Sequence, residues 1–359
     1  MALRVTERVR GERGGKIGGV PLKLGDAFPE ELKEILKADR FVADLVPNEE
    51  VRMILRVDSK RLQETRDKKL FLLLTLTDKT GSIRAVDWHN AELNDRRIRV
   101  GNVIEVRGKV VFFDNRLQIV VAQDEEAIRV VEMDEIDSSK FVQESPYDVE
   151  KMFSQLNGYA MKVRNEHLKK LLREFFGDRE FIEKLKSFPA GVKVHHAYKG
   201  GLLEHTLSVV RIVDSVCRIY DDLDRDLLIT GAILHDIGKL EDYTLAPTGI
   251  EMTDRGQLVG HIVSGVEMLR DRVRKLKGFP ERLLMELEHM IISHHGELEF
   301  GSPIVPKTKE ALALYFADDL DAKMAQFRKI ENVVEDSVWS EYDKFLQRRI
   351  YIRREKKNG

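Results

Sequence analysis

The hydrophobic period changes once along this chain, and that change constrains the fold more than any other feature. From Phe41 to about Val131 apolar residues alternate or gather in short runs between polar turns; beyond Tyr147 they recur at helical spacing almost to the end. The spacing predicts strands at residues 51–57, 70–76, 82–88, 102–109 and 117–122, with turns at 78–81 and 114–116 and Gly101 opening the fourth strand. Five such strands with no long helix among them suit a small closed barrel better than a sandwich. Helices are predicted at 148–176, 179–186, 201–220, 225–234, 257–276, 281–293 and 307–333, with an extended pair at 243–245 and 250–253 around Pro247-Thr248-Gly249. The expected fold class is therefore multidomain, an all-β five-stranded barrel followed by an all-α bundle. Residues 1–37 read as a basic, Gly-rich extension containing a short helical candidate at 30–37, and 38–137 as the barrel. A linker carrying Ser145-Pro146 takes 138–147, the helical domain 148–338 and a basic tail 339–359.

With 359 residues the chain has room for two domains with cores of their own. Its 60 basic and 62 acidic residues balance, so a surface for a polyanion has to be local. Local excesses occur at Arg4, Arg8, Arg10, Arg13 and Lys16, and again at Arg348, Arg349, Arg353, Arg354, Lys356 and Lys357. The single cysteine, Cys217, excludes an internal disulfide, fits a reducing compartment and lies in an apolar helical run, as a buried structural thiol would. No stretch has the length and apolarity of a membrane span, so a cytoplasmic protein without a membrane partner is expected. Charged helices with apolar stripes allow a homo-oligomer.

Histidine placement points to the chemistry. Eight of the ten histidines fall between residues 195 and 295: His195, His196, His205, His235, His261, His289, His294 and His295. His235-Asp236 closes an apolar helix and runs into Ile237-Gly238-Lys239; His261 follows Gly260; His294-His295-Gly296 ends another apolar helix; Asp318 interrupts a largely apolar one. Buried imidazoles and carboxylates are costly unless paired or metal-bound. Neutral imidazoles with a few carboxylates form a mixed nitrogen and oxygen set suited to Mn, Fe, Co or Zn more than to Mg or Ca alone. Two divalent ions roughly 3.5–4 Å apart can activate water and neutralise phosphate oxygens as charge develops. An adjacent His-Asp pair serves such a centre, because the carboxylate can bridge both ions while the imidazole holds one. The expected metal ligands are His205, His235, Asp236, His261, His294, His295 and Asp318. Lys239, three residues after Asp236, is expected to contact phosphate. His289, His89 and His167 read as ordinary helix-face, surface or core residues.

The ordered set resembles the HD superfamily of metal-dependent phosphohydrolases, helical domains named for their His-Asp pair. The segment from His195-His196 through Gly200-Gly201-Leu202-Leu203-Glu204-His205-Thr206, with Ser293-His294-His295-Gly296 and Ala317-Asp318-Asp319-Leu320-Asp321, is similar to the YhaM-type bacterial 3′→5′ exoribonucleases. The resemblance implies an N-terminal OB-fold joined to a C-terminal HD domain. It makes His205, His235, Asp236 and Asp318 core ligands, and it adds His261, His294 and His295 as in HD domains that hold two or more metals. Asp318 is preferred to Asp319 because Asp321, three residues on, repeats the family's paired-Asp rhythm. His196 is taken as a catalytic candidate, a substrate-side group or a helix cap. After His295 the chain lacks the Gly-Tyr-Pro signature of the class that cleaves cyclic dinucleotides.

An OB-type barrel holds single strands with a basic groove and aromatic faces on which bases stack. Arg84, Trp88, Arg107, Lys109, Phe113 and Arg116 are the candidates; Phe112 and Phe113 should face opposite ways, one in the core and one outside. The resemblance implies a metal-dependent 3′→5′ exonuclease acting on single-stranded RNA, and on single-stranded DNA besides; the ligand types suit two divalent ions, manganese foremost. The alternatives are an HD phosphohydrolase for free nucleotides or cyclic dinucleotides, and a nucleic-acid-binding adaptor whose metal is structural.

Overall fold

The computed structural model of the chain describes residues 40–353 apart from 115, 192–195, 247 and 334–336. The N-terminal extension with its helical candidate, His195, Asn115, Pro247 and the basic residues Arg354, Lys356 and Lys357 lie outside the described residues.

The first half forms β1 (Glu50–Glu64), β2 (Leu70–Asp78), β3 (Gly81–Asp87), α1 (Ala91–Arg97), β4 (Val103–Phe113), β5 (Arg116–Val121) and a short β6 (Ile128–Val130). Strand order β1-β2-β3-β5-β4 closes through a β1–β4 pairing, and β3 and β5 run parallel while the other pairs are antiparallel. Closure depends on the length of β1. Its first half pairs with β4, its second half with β2, and Arg56 has a partner in each. Alternation puts Leu55, Val57, Leu72, Leu74, Leu76, Ile104, Val106 and Ile119 inside, each at most marginally exposed. The seven-residue α1 was not foreseen. Buried Asn94 ties it to β3 through a 2.5 Å bond to Asp87 Oδ2, and buried Ile98 closes the barrel core beneath it.

The second half is helical: α2 (Val149–Met161), α3 (Glu166–Phe176), α4 (Arg179–Ser187), α5 (Gly201–Ile219), α6 (Arg225–Leu234), α7 (Lys239–Asp242), α8 (Asp254–Leu258), α9 (His261–Arg274), α10 (Glu281–Ser293) and α11 (Lys309–Val333). A hairpin of β7 (Tyr243–Ala246) and β8 (Gly249–Met252) separates α7 from α8. Two expected helices are broken. The one expected at 148–176 stops at Met161, because the Arg164 and Asn165 backbone amides turn to Asp226 Oδ2 (2.7 and 2.8 Å) and Asn165 then caps α3. The one at 257–276 is interrupted by Gly260 at φ +78°, a backbone state that stops α8 and starts α9 on His261. Helices α5 and α6 cross at the centre, with Leu203, Val209, Val210, Val213, Leu228, Ile229 and Leu234 fully buried, and α11 packs across both. Cys217 is half-buried against this core.

The segment expected as a linker is pinned at both ends. Lys79 donates its backbone N–H to Lys140 O (2.8 Å), and Ser145 bonds Lys199 O through its backbone N (2.9 Å) and Glu204 Oε2 through its hydroxyl (2.7 Å). Arg56 of the barrel also donates to Thr248 O (3.1 Å) at the tip of the β7–β8 hairpin. The expected basic tail departs from its description: antiparallel bridges join Trp339 to Tyr351 and Asp343 to Arg348, and Leu346, Ile350 and Ile352 are buried. Those three apolar side chains among the charges are what fold the segment. Among the described residues no helix is long and apolar enough to cross a membrane.

Candidate metal centre and strand-binding face

Five elements deliver their side chains to one point. His205 comes from the first turns of α5, His235-Asp236 from the end of α6, and His261 from the first position of α9. His294 and His295 follow α10, and Asp318 lies midway along α11. Gly238 lets these elements approach: a Cβ there would stand 1.9 Å from His261 O. Gly296, at φ +78°, does the same beside His295, where a Cβ would meet the Tyr315 ring at 2.2 Å.

Each of the five imidazoles presents Nδ1 to an oxygen outside the centre and Nε2 to its interior. Nδ1 of His205 donates to Asp321 Oδ2 (2.7 Å), that of His235 to Ala232 O (2.8 Å), that of His294 to Ile291 O (2.6 Å) and that of His295 to Phe300 O (3.1 Å); His261 Nδ1 lies 3.5 Å from Asp242 Oδ2. An acceptor at Nδ1 fixes the tautomer that leaves the Nε2 lone pair free for a cation. Asp236 stands between two groups of these nitrogens. Its Oδ2 is 3.5 Å from His205 Nε2 and 3.4 Å from His235 Nε2; its Oδ1 is 3.7 Å from His261 Nε2 and 3.5 Å from His294 Nε2. Asp318 Oδ1 completes the first group at 3.1 Å from His205 Nε2, and His295 Nε2 completes the second at 3.3 Å from His261 Nε2. Asp319 is turned away and pairs with Lys323.

The residues fit divalent metal. Two of the buried polar atoms that lack a hydrogen-bond partner among the described residues, Asp236 Oδ1 and His294 Nε2, face each other here. Orphaned buried polar atoms are rare in folded chains, and an ion between these two would satisfy both. Two groups of possible ligands, His205-His235-Asp318 and His261-His294-His295, have their donor atoms within 4.8 Å of one another. Protonation is arranged unevenly. Burial lowers the pKa of His261 and of His294, and burial together with the His294 charge takes His295 down to about 4. Burial also acts against charge on His205, but Asp318 and Asp321 outweigh it and push that pKa up to about 10. Asp236 is held well below the usual carboxylate range: burial opposes this, and Lys239 and His235 overcome it.

Two expected roles change with the geometry. Lys239 is not free in a loop; it is buried at the start of α7, its Nζ 2.5 Å from Asp236 Oδ2. His196 is neither a cap nor an open substrate-side group. It is buried, with Nδ1 2.8 Å from the Tyr198 hydroxyl and Nε2 3.1 Å from Asp321 Oδ2, while Gly200 precedes α5. Tyr198 donates in turn to Glu204 Oε2 (2.9 Å), which Ser145 also reaches, so a chain of polar contacts runs from the pinned segment to His205. Sequence reading passed over Asp242 as an orienting group and used Asp321 only for its spacing. Asp321's position three residues after Asp318 was a usable signal; Asp242 had none.

On the barrel, a groove of about 480 Å³ is lined by Thr75, Ser82, Arg84, Phe113, Arg116 and Gln118, with Val42, Ile83 and Leu117. Thr75 and Gln118 both pair with Arg84, so these side chains form one row across β2, β3 and β5. Phe112 and Phe113 are both outside, 63 and 62 % exposed, because they end β4 at the hairpin tip, beyond the last buried residue of that strand, Val110. Of the six expected strand-binding residues, Arg84, Phe113 and Arg116 line the groove. Trp88 stacks on Phe71 at 4.6 Å and is 45 % exposed, Arg107 pairs with Asp124, and Lys109 is exposed on β4; these three are outside it.

Comparison with known families gives two matches. The model described as HD domain matches residues 202–323, and that described as OB-fold nucleic acid binding domain matches residues 51–127. The chain joins an OB-fold domain to an HD domain. The HD match covers every histidine and carboxylate of the centre, from His205 to Asp321. Among solved structures, the OB-fold domain is similar to a domain of replication protein A from Methanococcus maripaludis, at 30% identity over 26% of this chain and 94% of that one, with a TM-score of 0.22. It is also similar to a replication factor A related protein from Methanobacterium thermoautotrophicum, at 21% identity over 27% and 93%, with a TM-score of 0.23.

Proposed function

We propose that the chain is a metal-dependent 3′→5′ exonuclease of the YhaM type, hydrolysing single-stranded RNA, and single-stranded DNA as a second substrate, to nucleoside 5′-monophosphates. The carrying observation is Asp236, whose two oxygens face two separate groups of Nε2 atoms, so that this one carboxylate would help to hold an ion in each group. His205, His235 and Asp318 would hold one ion and His261, His294 and His295 the other, with manganese foremost given the nitrogen and oxygen donors. Such ions supply an activated water and charge neutralisation at the scissile phosphate.

The chain's own residues do the rest. Lys239 keeps Asp236 ionised and oriented. Asp321 and Asp242 orient His205 and His261, and His196 braces Asp321. Arg84 and Arg116 attract the backbone of the strand upstream of the cleaved end, and Phe113 offers a base a stacking face. Residues 38–137 serve as the strand-holding domain and 148–338 as the hydrolytic one. The direction of attack, the product and the order of RNA before DNA rest on the resemblance in the segments around His205, His294 and Asp318. Six candidate ligands in two groups, with Asp236 between them, exceed the four of a closed structural site, which disfavours the adaptor reading.

The test is purified protein with 5′-labelled single-stranded RNA and DNA, with and without Mn²⁺, beside Asp236→Ala. A metal-dependent ladder shortening from the 3′ end, lost in the variant, is the expected result. Intact oligonucleotides under every metal tried, with turnover of free nucleotides or cyclic dinucleotides instead, would replace this reading with the mononucleotide one.

A further inference from the structure

Residues 338–353 form a narrow antiparallel ribbon that neither the metal centre nor the barrel groove uses. Ile352 N donates to Val338 O (2.8 Å), Ser340 N to Ile350 O (2.9 Å) and Asp343 N to Arg348 O (2.9 Å). Leu346, Ile350 and Ile352 are buried and anchor it, so alternation along the second strand turns Arg349, Tyr351 and Arg353 outward. Trp339 lies across from Tyr351, ring centroids 5.2 Å apart, and adds a second aromatic face to that side.

Two properties set this surface apart. Aromatic residues are 7 % of the chain but four of the fifteen residues 339–353, and Trp339, Tyr342, Phe345 and Tyr351 are all between 42 and 61 % exposed. Rings that serve only to fold a segment turn inward, and here aliphatic side chains already fill that place. The second property is unmatched charge. Elsewhere Arg52, Arg107, Arg129, Arg225, Arg270 and Arg272 each pair with a carboxylate. Among the described residues none of Lys344, Arg348, Arg349 and Arg353, all exposed, has such a pair. Arg348 and Arg349 donate only to neutral carbonyls, Leu346 O (2.8 Å) and Ser340 O (2.9 Å), which leaves their charge uncancelled. Of the two carboxylates in the ribbon, Asp343 is committed to Gln326 Nε2 (2.7 Å) and to the Leu346 amide (2.7 Å), and Glu341 is exposed.

Exposed aromatic faces beside unmatched basic groups suit a single strand, whose bases stack while its phosphates meet the charges. A lipid surface takes up aliphatic side chains as well as rings, and those of the ribbon are buried apart from Val338.

We propose that residues 339–353 form a second surface for single-stranded nucleic acid, outside the barrel, where Trp339 and Tyr351 stack on bases and Arg349 and Arg353 meet phosphates. This rests on the reading of the chain's substrate as a single strand. The ribbon is tied to α11 through Gln326, which lies eight residues beyond Asp318, about 12 Å along the helix axis. A strand on the ribbon is therefore held by the helix that carries Asp318.

The chain has two tryptophans, Trp88 and Trp339, so in full-length Trp88→Phe the indole emission comes from Trp339. Single-stranded oligouridylate, added with chelator so that no hydrolysis interferes, should quench that emission saturably. Quenching should persist, at higher strand concentration, when Phe113→Ala is added. By fluorescence anisotropy, Tyr351→Ala should weaken binding about five-fold or more, the effect of one lost stack, whereas Tyr351→Phe should not. Arg353→Gln, which breaks no contact among the described residues, should flatten the salt dependence by about one phosphate contact. Trp339 emission that ignores the strand, with the salt dependence unchanged in Arg353→Gln, overturns the proposal. So do anionic phospholipid vesicles that shift Trp339 emission to the blue when oligouridylate leaves it unchanged; the ribbon would then be a membrane contact. Saturable quenching without hydrolysis under any metal would sink the exonuclease reading and leave this surface standing.

Discussion

Asp321 places one carboxylate oxygen, Oδ2, 2.7 Å from His205 Nδ1 and 3.1 Å from His196 Nε2, outside the ring of nitrogens that faces Asp236. The contact holds His205 with Nε2 turned inward and raises the basicity of the imidazole. Asp321→Asn keeps the shape and removes the charge. Metal affinity should fall about 10- to 100-fold, the usual cost of losing such an orienting partner. Competition against a chromogenic chelator reads this directly, with Asp321→Glu recovering part of the loss. Unchanged affinity in Asp321→Asn would leave the residue with a packing role only.

The groove on the barrel makes a separate prediction. Phe113→Ala should weaken binding of a single strand by about 1–3 kcal/mol, the range for one base–aromatic stack. Arg84→Ala and Arg116→Ala should each flatten the salt dependence of binding by about one phosphate contact. Fluorescence anisotropy with a labelled oligonucleotide at several salt concentrations measures both. Turnover of a minimal dinucleotide should not change in these variants, because a groove that acts only on the strand upstream of the cleaved end has no such strand to hold. Loss of dinucleotide turnover in Phe113→Ala would contradict a role confined to strand holding.

The sequence showed the order of barrel and bundle because burial follows a period of two on β1 and β2 and a helical period on α5 and α6. It singled out the histidines and carboxylates that converge at one point because His-Asp pairs at the ends of apolar helices have few cheap explanations. It did not show the break before α3, which depends on Asp226, 62 and 61 positions further along the chain, drawing the Arg164 and Asn165 amides out of the helical ladder. Nor did it show that Lys239 is committed to Asp236, or that Phe112 and Phe113 both reach solvent. Alternation predicts opposite faces for that pair, but the strand has by then left the barrel wall, and either face is open to water. Local pattern locates elements; contacts between distant residues decide what an individual side chain does there.

Chelation separates a catalytic centre from a structural one. The bundle core of Leu203, Val210, Leu228, Ile229 and Leu234 is complete without an ion, so metal removal should abolish hydrolysis and leave the helical circular dichroism intact. Melting should fall only by the stabilisation that ligand binding adds through mass action. Re-addition of Mn²⁺ should restore turnover. Unfolding on chelation would instead mark the ion as part of the fold.

Acid stability should depend on Asp214. Its buried carboxylate accepts from Arg225 Nε (2.9 Å) and Nη2 (2.6 Å) and from Arg218 Nη2 (2.8 Å). Burial works to raise its pKa, and the two guanidinium groups, Arg225 foremost, more than offset that and lower it. A carboxyl depressed in the folded state contributes stability above its unfolded pKa of about 4, and that contribution is lost as pH falls through the folded value. Asp214→Asn should therefore cost about 1–2 kcal/mol at neutral pH, with Arg218 contributing little because it is exposed. The gap between variant and wild type should close as the pH is lowered. Denaturant melts at neutral pH and below pH 4 measure this, and a constant gap would remove Asp214 from the account.

Gly238 makes the tightest demand on residue identity in the centre. A Cβ at this position would lie 1.9 Å from His261 O and 2.6 Å from the Gly265 backbone N, so Gly238→Ala has to push α9 away from the His-Asp turn. His261 is the first residue of α9 and moves with it, whereas His205, His235 and Asp318 belong to α5, α6 and α11. The overpacking should cost about 1–3 kcal/mol of stability. Its effect on metal should be selective: one ion bound with near-normal affinity by the His205 group, and the second site, which needs His261, weakened. Titration calorimetry with Mn²⁺ should show one transition in the variant against two in the wild type. Equal loss at both sites would mean that the displacement spreads through Asp236, which the two sites share.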